Sequence, residues 1–370
     1  MRIAQVAPLY ESVPPQLYGG TERVVSYLTE ALIRQGHEVT LFGAGDSTTD
    51  AELVSVVPRS LRLDTTCTDS LGPHLLMLEQ VIARAHAFDV VHFHVDYLGF
   101  PFSRRLLCPS VTTLHGRLDQ PHLVPIMEEY ADMPLVSISD AQRTPLADAS
   151  WCKTVYHGLP LDLYRPRFAP GEYFAFIGRI SPEKRVDRAI EVAKRLGVPL
   201  KIAAKVDAVD RKYYETEIEP LLDHPLIEYV GEIGEAQKSD FLGRARALLF
   251  LIDWPEPFGL AMIEAMACGT PVVSFSGGSV PEVVDPGVTG YVVNDMAEAM
   301  RAASIIHELD RRRCRWQFER RFSSGRMARE YTDLYSTLIK ARASNMAALL
   351  QAPNNDASPV RRVALASAAE

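Results

Sequence analysis

Along this chain, apolar runs short enough to be buried strands alternate with longer segments of helical period, and the alternation starts twice. Runs at 3–7, 39–42, 90–93, 110–114 and 135–138 make the first series, with helices expected at 21–35 and 71–87. The helix at 21–35 shows its apolar face in Val24, Val25, Leu28 and Leu32, with Gly36 as its stop. Prolines and glycines cluster from 157 to 171, which reads as an interdomain hinge. A second series follows, with strands at 173–177, 200–204, 227–230, 248–252 and 271–275 and helices at 186–196 and 212–222. Strands joined by helix-length connections pair in parallel, so the expected fold is α/β, with two Rossmann-like domains facing a cleft. Open sheets of this kind bind ligands at the carboxyl ends of their strands.

The 370 residues suit two or three domains, and 47% hydrophobic with 23% charged residues describes an ordinary globular chain. A net charge of −8 argues against a generic nucleic-acid binder. Five cysteines (67, 108, 152, 268 and 314) are odd in number and lack metal-ligand spacing, which fits a reducing cytoplasm. Residues 1–8 read as a first strand rather than a signal peptide, and no run approaches the roughly 20 apolar residues that span a bilayer. The basic stretch 311–315 with Arg320 and Arg321 is a candidate for peripheral contact with anionic lipid, although a solvated helix face is the commoner reading. A last helix at 328–350 carries Tyr331, Leu334, Tyr335 and Leu338 on one face, and the tail from 351 reads as disordered. The domains expected are therefore 1–160, 171–325, a helical extension at 326–350, and the tail.

The most informative segment is Trp254-Pro-Glu-Pro-Phe-Gly-Leu-Ala-Met-Ile-Glu264. It joins the apolar run 247–252 to a helix expected at 259–267, which stops at Cys268-Gly269-Thr270-Pro271. Glu256 falls in the strand-to-helix turn and Glu264 inside the helix. Between them a helix start presents N–H groups without intrahelical partners, a place that suits phosphate. Carboxylates there accept hydrogen bonds from hydroxyls, and Glu264 lies in an apolar setting where an unpaired charge is expensive. Arg179 and Lys184, in Gly178-Arg-Ile-Ser-Pro-Glu-Lys184, are placed to neutralise a diphosphate, with a pair of surface cations as the alternative. Tyr18-Gly-Gly-Thr-Glu22 permits close backbone approach, and Thr21 is a candidate helix cap. It is not a dinucleotide fingerprint. His115 ends a strand at the cleft edge. His92 and His94 alternate on another strand without a third zinc ligand at readable spacing, and Asp96 follows them.

The segment 254–264 is continued by Gly269-Thr-Pro-Val-Val273, Gly277-Gly278, Pro281-Glu282 and Gly287-Val-Thr-Gly-Tyr291. Together these resemble the signature of family-4 (group 1) retaining glycosyltransferases with the GT-B fold. The resemblance implies a hexose moved from a nucleoside-diphosphate sugar, UDP-glucose foremost, to a sugar, lipid or small-molecule acceptor. It implies no cofactor and no metal. It assigns Arg179 and Lys184 to the donor diphosphate, replacing a metal ion, Glu264 to the ribose, and Glu256 with the Phe258, Gly259 and Leu260 main chain to sugar and phosphate. Gly19, Gly20 and His115 then face the donor from the first domain, while Tyr18 and Asp96 are acceptor-side candidates. The chain departs from the pattern at Ala204-Lys205-Val206-Asp207, where relatives carry a Gly-x-Gly turn and Lys205 approaches the donor instead. It departs again at Arg185, at His157-Gly158, and by an extra residue before Pro281. A nucleotide-sugar epimerase or phosphorylase of the same fold, and a two-lobed sugar-binding protein, are the alternatives.

Overall fold

The computed structural model describes residues 1–16 and 19–351. The tail expected from 351 thus falls, from 352 on, outside the described residues. Seven parallel strands form the first sheet: β1 (Arg2–Val6), β2 (Glu38–Phe42), β3 (Glu52–Val54), β4 (Val90–Phe93), β5 (Ser110–Thr113), β6 (Leu135–Ser137) and β7 (Trp151–Thr154). Six form the second: β8 (Tyr173–Arg179), β9 (Leu200–Lys205), β10 (Ile227–Gly231), β11 (Ala245–Phe250), β12 (Val272–Phe275) and β13 (Gly290–Val293). The spatial orders are β3-β2-β1-β4-β5-β6-β7 and β10-β9-β8-β11-β12-β13. Each order reverses once, at β1/β4 and at β8/β11, and a crevice opens beyond the strand ends at such a point.

Alternation along the strands divides the first core. Ile3 and Val90 face the helix Gly20–Arg34 with Leu28 and Leu32, whereas Ala4, Val6, Val91 and Phe93 face the helix Leu71–Arg84. Each fully buried leucine contributes about 2 kcal/mol of transfer free energy, so the helix Gly20–Arg34 is held by this face. Thr21 does not cap it. The helix begins one residue earlier, after Gly19, with no side-chain cap bond. The segment expected to be one helix at 212–222 carries a π-turn at Tyr214–Ile218. Pro220 explains the irregularity, since its ring clashes with the carbonyl four residues back.

The chain passes between the domains at two places, and these touch. Leu159 N–H donates to the Phe322 carbonyl at 2.9 Å and Ser324 N–H to the Leu159 carbonyl at 2.8 Å. From there the helix Ser324–Gln351 packs against the helix Gly20–Arg34. Neither reading of the basic run survives whole. Arg311 is buried, donating to the carbonyls of Arg167, Ala245 and Gly243 at 2.7–2.8 Å. Arg315 donates to those of Leu161, Tyr164 and Ala267, and Arg321 pairs with Asp285. Five-donor guanidinium groups fasten loop carbonyls here, so only Arg312, Arg313 and Arg320 form a solvated face.

Candidate active site

The two crevices meet in one cleft of ≈ 640 Å³. On the second-domain side, β8 delivers Arg179 and the loop after it delivers Lys184. β11 delivers the loop holding Trp254 and Glu256, and the helix Leu260–Ala267 follows. Two glycines shape that loop. Gly259 has φ +82°, and Gly278 has φ +55° with a Cβ position only 2.2 Å from the Glu256 carbonyl oxygen. A side chain at 278 would therefore displace Glu256. Glu256 Oε2 accepts from Lys184 Nζ at 2.6 Å and from Trp254 Nε1 at 2.8 Å, while the same ammonium lies 4.4 Å over the Trp254 ring. Arg179 faces three carboxylates: Glu183 at 2.5 Å, Asp210 at 3.3 Å and Asp207 at 3.6 Å.

Glu264 is nearly inaccessible, at 3% exposure. Its Oε1 accepts from Lys238 Nζ at 2.7 Å; Lys238 lies 3.6 Å from Glu235, which in turn contacts Arg23 and Tyr164. Burial pushes the Glu264 carboxyl up, but Lys238 and then Arg23 outweigh it and hold it below the usual carboxylate range. Lys238 bears the cost: desolvation lowers its ammonium, and Glu264 offsets this only in part. The result is two carboxylates and two cations running from the helix Leu260–Ala267, through the helix Glu235–Gly243, to the helix Gly20–Arg34 of the first domain.

The first-domain side is built from ring nitrogens. Gln5 Nε2 donates to Tyr335 Oη at 3.2 Å, which turns its oxygen toward His94 Nε2 at 2.8 Å. That nitrogen must donate, so His94 Nδ1 accepts from His115 Nε2 at 2.9 Å. His92 bridges Tyr335 Oη and Thr113 Oγ1 at 2.6 and 2.7 Å. Burial holds His92, His94 and His157 well below the ordinary imidazole value and brings His115 down to about 3. All four are neutral at pH 7. Asp96 lies just past β4 at φ +50° and faces the His115 main-chain N–H. Its side chain is accessible at the cleft, where desolvation by the cleft walls raises its carboxyl to about 6 against the lowering effect of the His115 N–H.

Of the residues singled out in the sequence, Gly19, Gly20, Asp96, His115, Arg179, Lys184, Glu256, Phe258, Gly259, Leu260 and Glu264 all line this cleft. Lys205 does not. It pairs with Asp207 at 2.9 Å. Tyr18 lies outside the described residues. The sequence reading missed Lys238, Glu235 and Arg23. Arg23 carried one signal, a cation in the first turn of a helix, where the macrodipole disfavours it. Lys238 carried none, because its partner is 26 positions away. Among the described residues no group of three or more His, Cys, Asp or Glu is placed to hold a metal ion, and no helix is long and apolar enough to cross a membrane.

Residues 166–321 match the family model for glycosyl transferases group 1, and residues 18–149 match that for glycosyltransferase family 4. The D-inositol 3-phosphate glycosyltransferase of Mycolicibacterium smegmatis is 28% identical over 352 residues, covering 79% of each chain. A Mycobacterium bovis protein of the same name is 27% identical over 339 residues, 75% of this chain and 68% of its own. Among solved structures, AviGT4, a glycosyltransferase involved in avilamycin A biosynthesis, superposes with a TM-score of 0.69 at 24% identity, covering 92% of this chain and 98% of that one. Sucrose-phosphate synthase from Thermosynechococcus elongatus gives 0.75 at 18% identity, over 92% and 99%. Anabaena HepE in complex with UDP and glucose gives 0.67 at 18%, over 91% and 100%. The architecture of tandem parallel sheets with facing switch points is the GT-B fold. The chain belongs to the group 1 (family 4) glycosyltransferases.

Proposed function

We propose that the protein transfers a hexose from a nucleoside-diphosphate sugar, with UDP-glucose the leading donor, to a hydroxyl acceptor with retention of anomeric configuration. The observation that carries this reading is the convergence of Lys184, Glu256 and Glu264 on one wall of the cleft, around the start of the helix Leu260–Ala267. The anionic diphosphate suits that helix start and the two cations beside it. Glu264, kept ionised by Lys238, accepts from the ribose hydroxyls. Lys184 exchanges Glu256 for the diphosphate, which frees Glu256 for the sugar hydroxyls. Arg179 makes the same exchange from its three carboxylates. As the glycosidic bond to the diphosphate breaks, Lys184 and Arg179 meet the charge that builds on the leaving oxygens. His115 positions the sugar from the opposite domain. The complexes of HepE with UDP and glucose support a uridine nucleotide as first choice.

The test is titration of the protein with UDP-glucose, GDP-mannose and ADP-glucose by calorimetry, beside a steady-state transfer assay. Lys184→Ala is expected to lower turnover at least a hundredfold, about 2.7 kcal/mol of transition-state stabilisation, with little change in thermal midpoint. Glu264→Ala is expected to weaken the preferred donor. Near-normal turnover in Lys184→Ala, or no donor binding by the folded wild type, sinks the reading.

A further inference from the structure

A second-domain carboxylate fastens the first domain beside the cleft. Glu282 lies in the short helix Val280–Val283 that follows Gly277-Gly278. Its Oε2 accepts from the Asp140 N–H at 2.8 Å and from the Tyr156 hydroxyl at 3.0 Å, and its Oε1 accepts from the Ala141 N–H at 2.7 Å. All three donors belong to the first domain, Asp140 and Ala141 just past β6 and Tyr156 just past β7. A further bond runs alongside, from Ser139 Oγ to the Pro257 carbonyl at 2.7 Å. Each end of this contact is tied to the cleft. On the second-domain side, Ser279 N–H donates to the Glu256 carbonyl at 2.9 Å and Ser279 Oγ to the Phe258 carbonyl at 2.8 Å. On the first-domain side, the residue after Ala141 is the buried Gln142. Its Nε2 donates to the carbonyls of Leu114 and Gly116, both at 2.8 Å, and its Oε1 accepts from the Ile138 N–H at 2.9 Å. Those two carbonyls flank His115.

We propose that Glu282 is a positioning residue: by holding Asp140 and Ala141 it sets, through Gln142, where His115 stands against the Glu256 loop across the cleft. The inference rests on the transferase reading above, in which His115 and Glu256 meet the donor sugar from opposite domains. A carboxylate suits this task. When ionised it is acceptor-only and takes all three donors at once, whereas an amide in its place must turn an NH2 toward at least one of them. Bonds to an ionised acceptor are also the stronger kind. The linkage is short and braced, since Gln142 N–H donates to Ser139 Oγ at 3.0 Å, the same hydroxyl that bonds Pro257. The segment that meets the second domain and the side chain that holds the His115 loop therefore move together. A displacement of about 1 Å is enough to degrade a positioned contact. The contact of Arg23 with Glu235 also crosses between the domains, but it leads through Lys238 to Glu264 rather than to His115.

The experiment measures two dissociation constants by calorimetry: that of the donor that binds among UDP-glucose, GDP-mannose and ADP-glucose, and that of its free nucleoside diphosphate. The ratio of donor Kd to nucleotide Kd isolates the sugar contacts, because the ribose and diphosphate contacts are common to both ligands. Glu282→Gln is expected to raise this ratio at least fivefold, about the weight of one hydrogen bond, and to leave the nucleotide Kd within twofold. Gln142→Ala, which leaves Glu282 and its three donors in place, is expected to do the same, and the double variant no more than either single one. Tyr156→Phe removes one bond of the three and is expected to fall between wild type and Glu282→Gln. An unchanged ratio in Glu282→Gln overturns the proposal, as does an equal loss of affinity for both ligands, which marks a purely structural role. Additive effects in the double variant overturn the path through Gln142. His115→Ala reports on the underlying reading separately. If the wild type binds no donor, or if His115→Ala leaves the ratio unchanged, that reading of the site fails and the proposal with it. If His115→Ala raises the ratio and Glu282→Gln does not, the positioning role alone is refuted.

Discussion

Single residues in the cleft trade stability for availability, and Asp96 shows the trade in its titration. Its folded pKa of about 6 lies above the ordinary aspartate value. A carboxyl raised in this way costs stability above its folded pKa, and the cost shrinks as pH falls below that value, vanishing only near the unfolded value of about 3.9. Asp96→Asn should therefore raise the thermal midpoint at pH 7.5, with the difference from wild type shrinking toward pH 5. An equal difference at both pH values would remove the carboxyl as its cause. Lys238 makes the opposite case. Its ammonium is the direct partner of a carboxylate that is 3% exposed. Lys238→Met strands Glu264, which should cost about 3 kcal/mol or more in chemical denaturation, and Glu264→Gln in the same chain should recover part of it. A double variant as unstable as the single one would show that the pair does not set the loss.

At the scale of elements, the last helix reaches furthest. Tyr335, on Ser324–Gln351, bonds Gln5 and His92 at once and so decides which way the Gln5 amide points toward His94. Tyr335→Phe removes that decision. The expected outcome is about 1 kcal/mol of lost stability and a change in the His94 and His115 ring-nitrogen signals in 15N-histidine NMR. Unchanged signals would mean that the tautomers are set elsewhere. The apolar face of this helix was legible in the sequence, as was that of Gly20–Arg34, because both keep a helical period over several turns. The strands β3 and β7 were not, being three and four residues long at the sheet edges. The helix Glu235–Gly243 was missed as well, since Glu-Ala-Gln-Lys-Ser-Asp-Phe-Leu-Gly shows no apolar stripe. The motif residues of the cleft could be read because they cluster in two loops. Their partners could not, because Lys238 and Glu235 share one helix that meets Glu264 and Arg23 only when three helices from both domains have packed.

For the whole molecule, four neutral histidines beneath the cleft tie the fold to pH. His92, His94, His115 and His157 all have folded pKa values below the imidazole norm, so their contribution is complete above about pH 6.5 and falls as the unfolded chain gains protons below it. Each adds about 1.4 kcal/mol per pH unit to the slope. Denaturation midpoints should thus fall steeply between pH 6.5 and 5, and a flat profile there would show these rings protonated in the native state. A different consequence follows from the paired crossings at Leu159 and Ser323. The first-domain lobe is assembled from both ends of the chain, with the helix Ser324–Gln351 supplying hydroxyls beneath β4 and β5. An engineer grafting that lobe onto a relative would have to transplant two separate stretches, and a chimera joined only once, within 157–171, would inherit a foreign floor under its histidines.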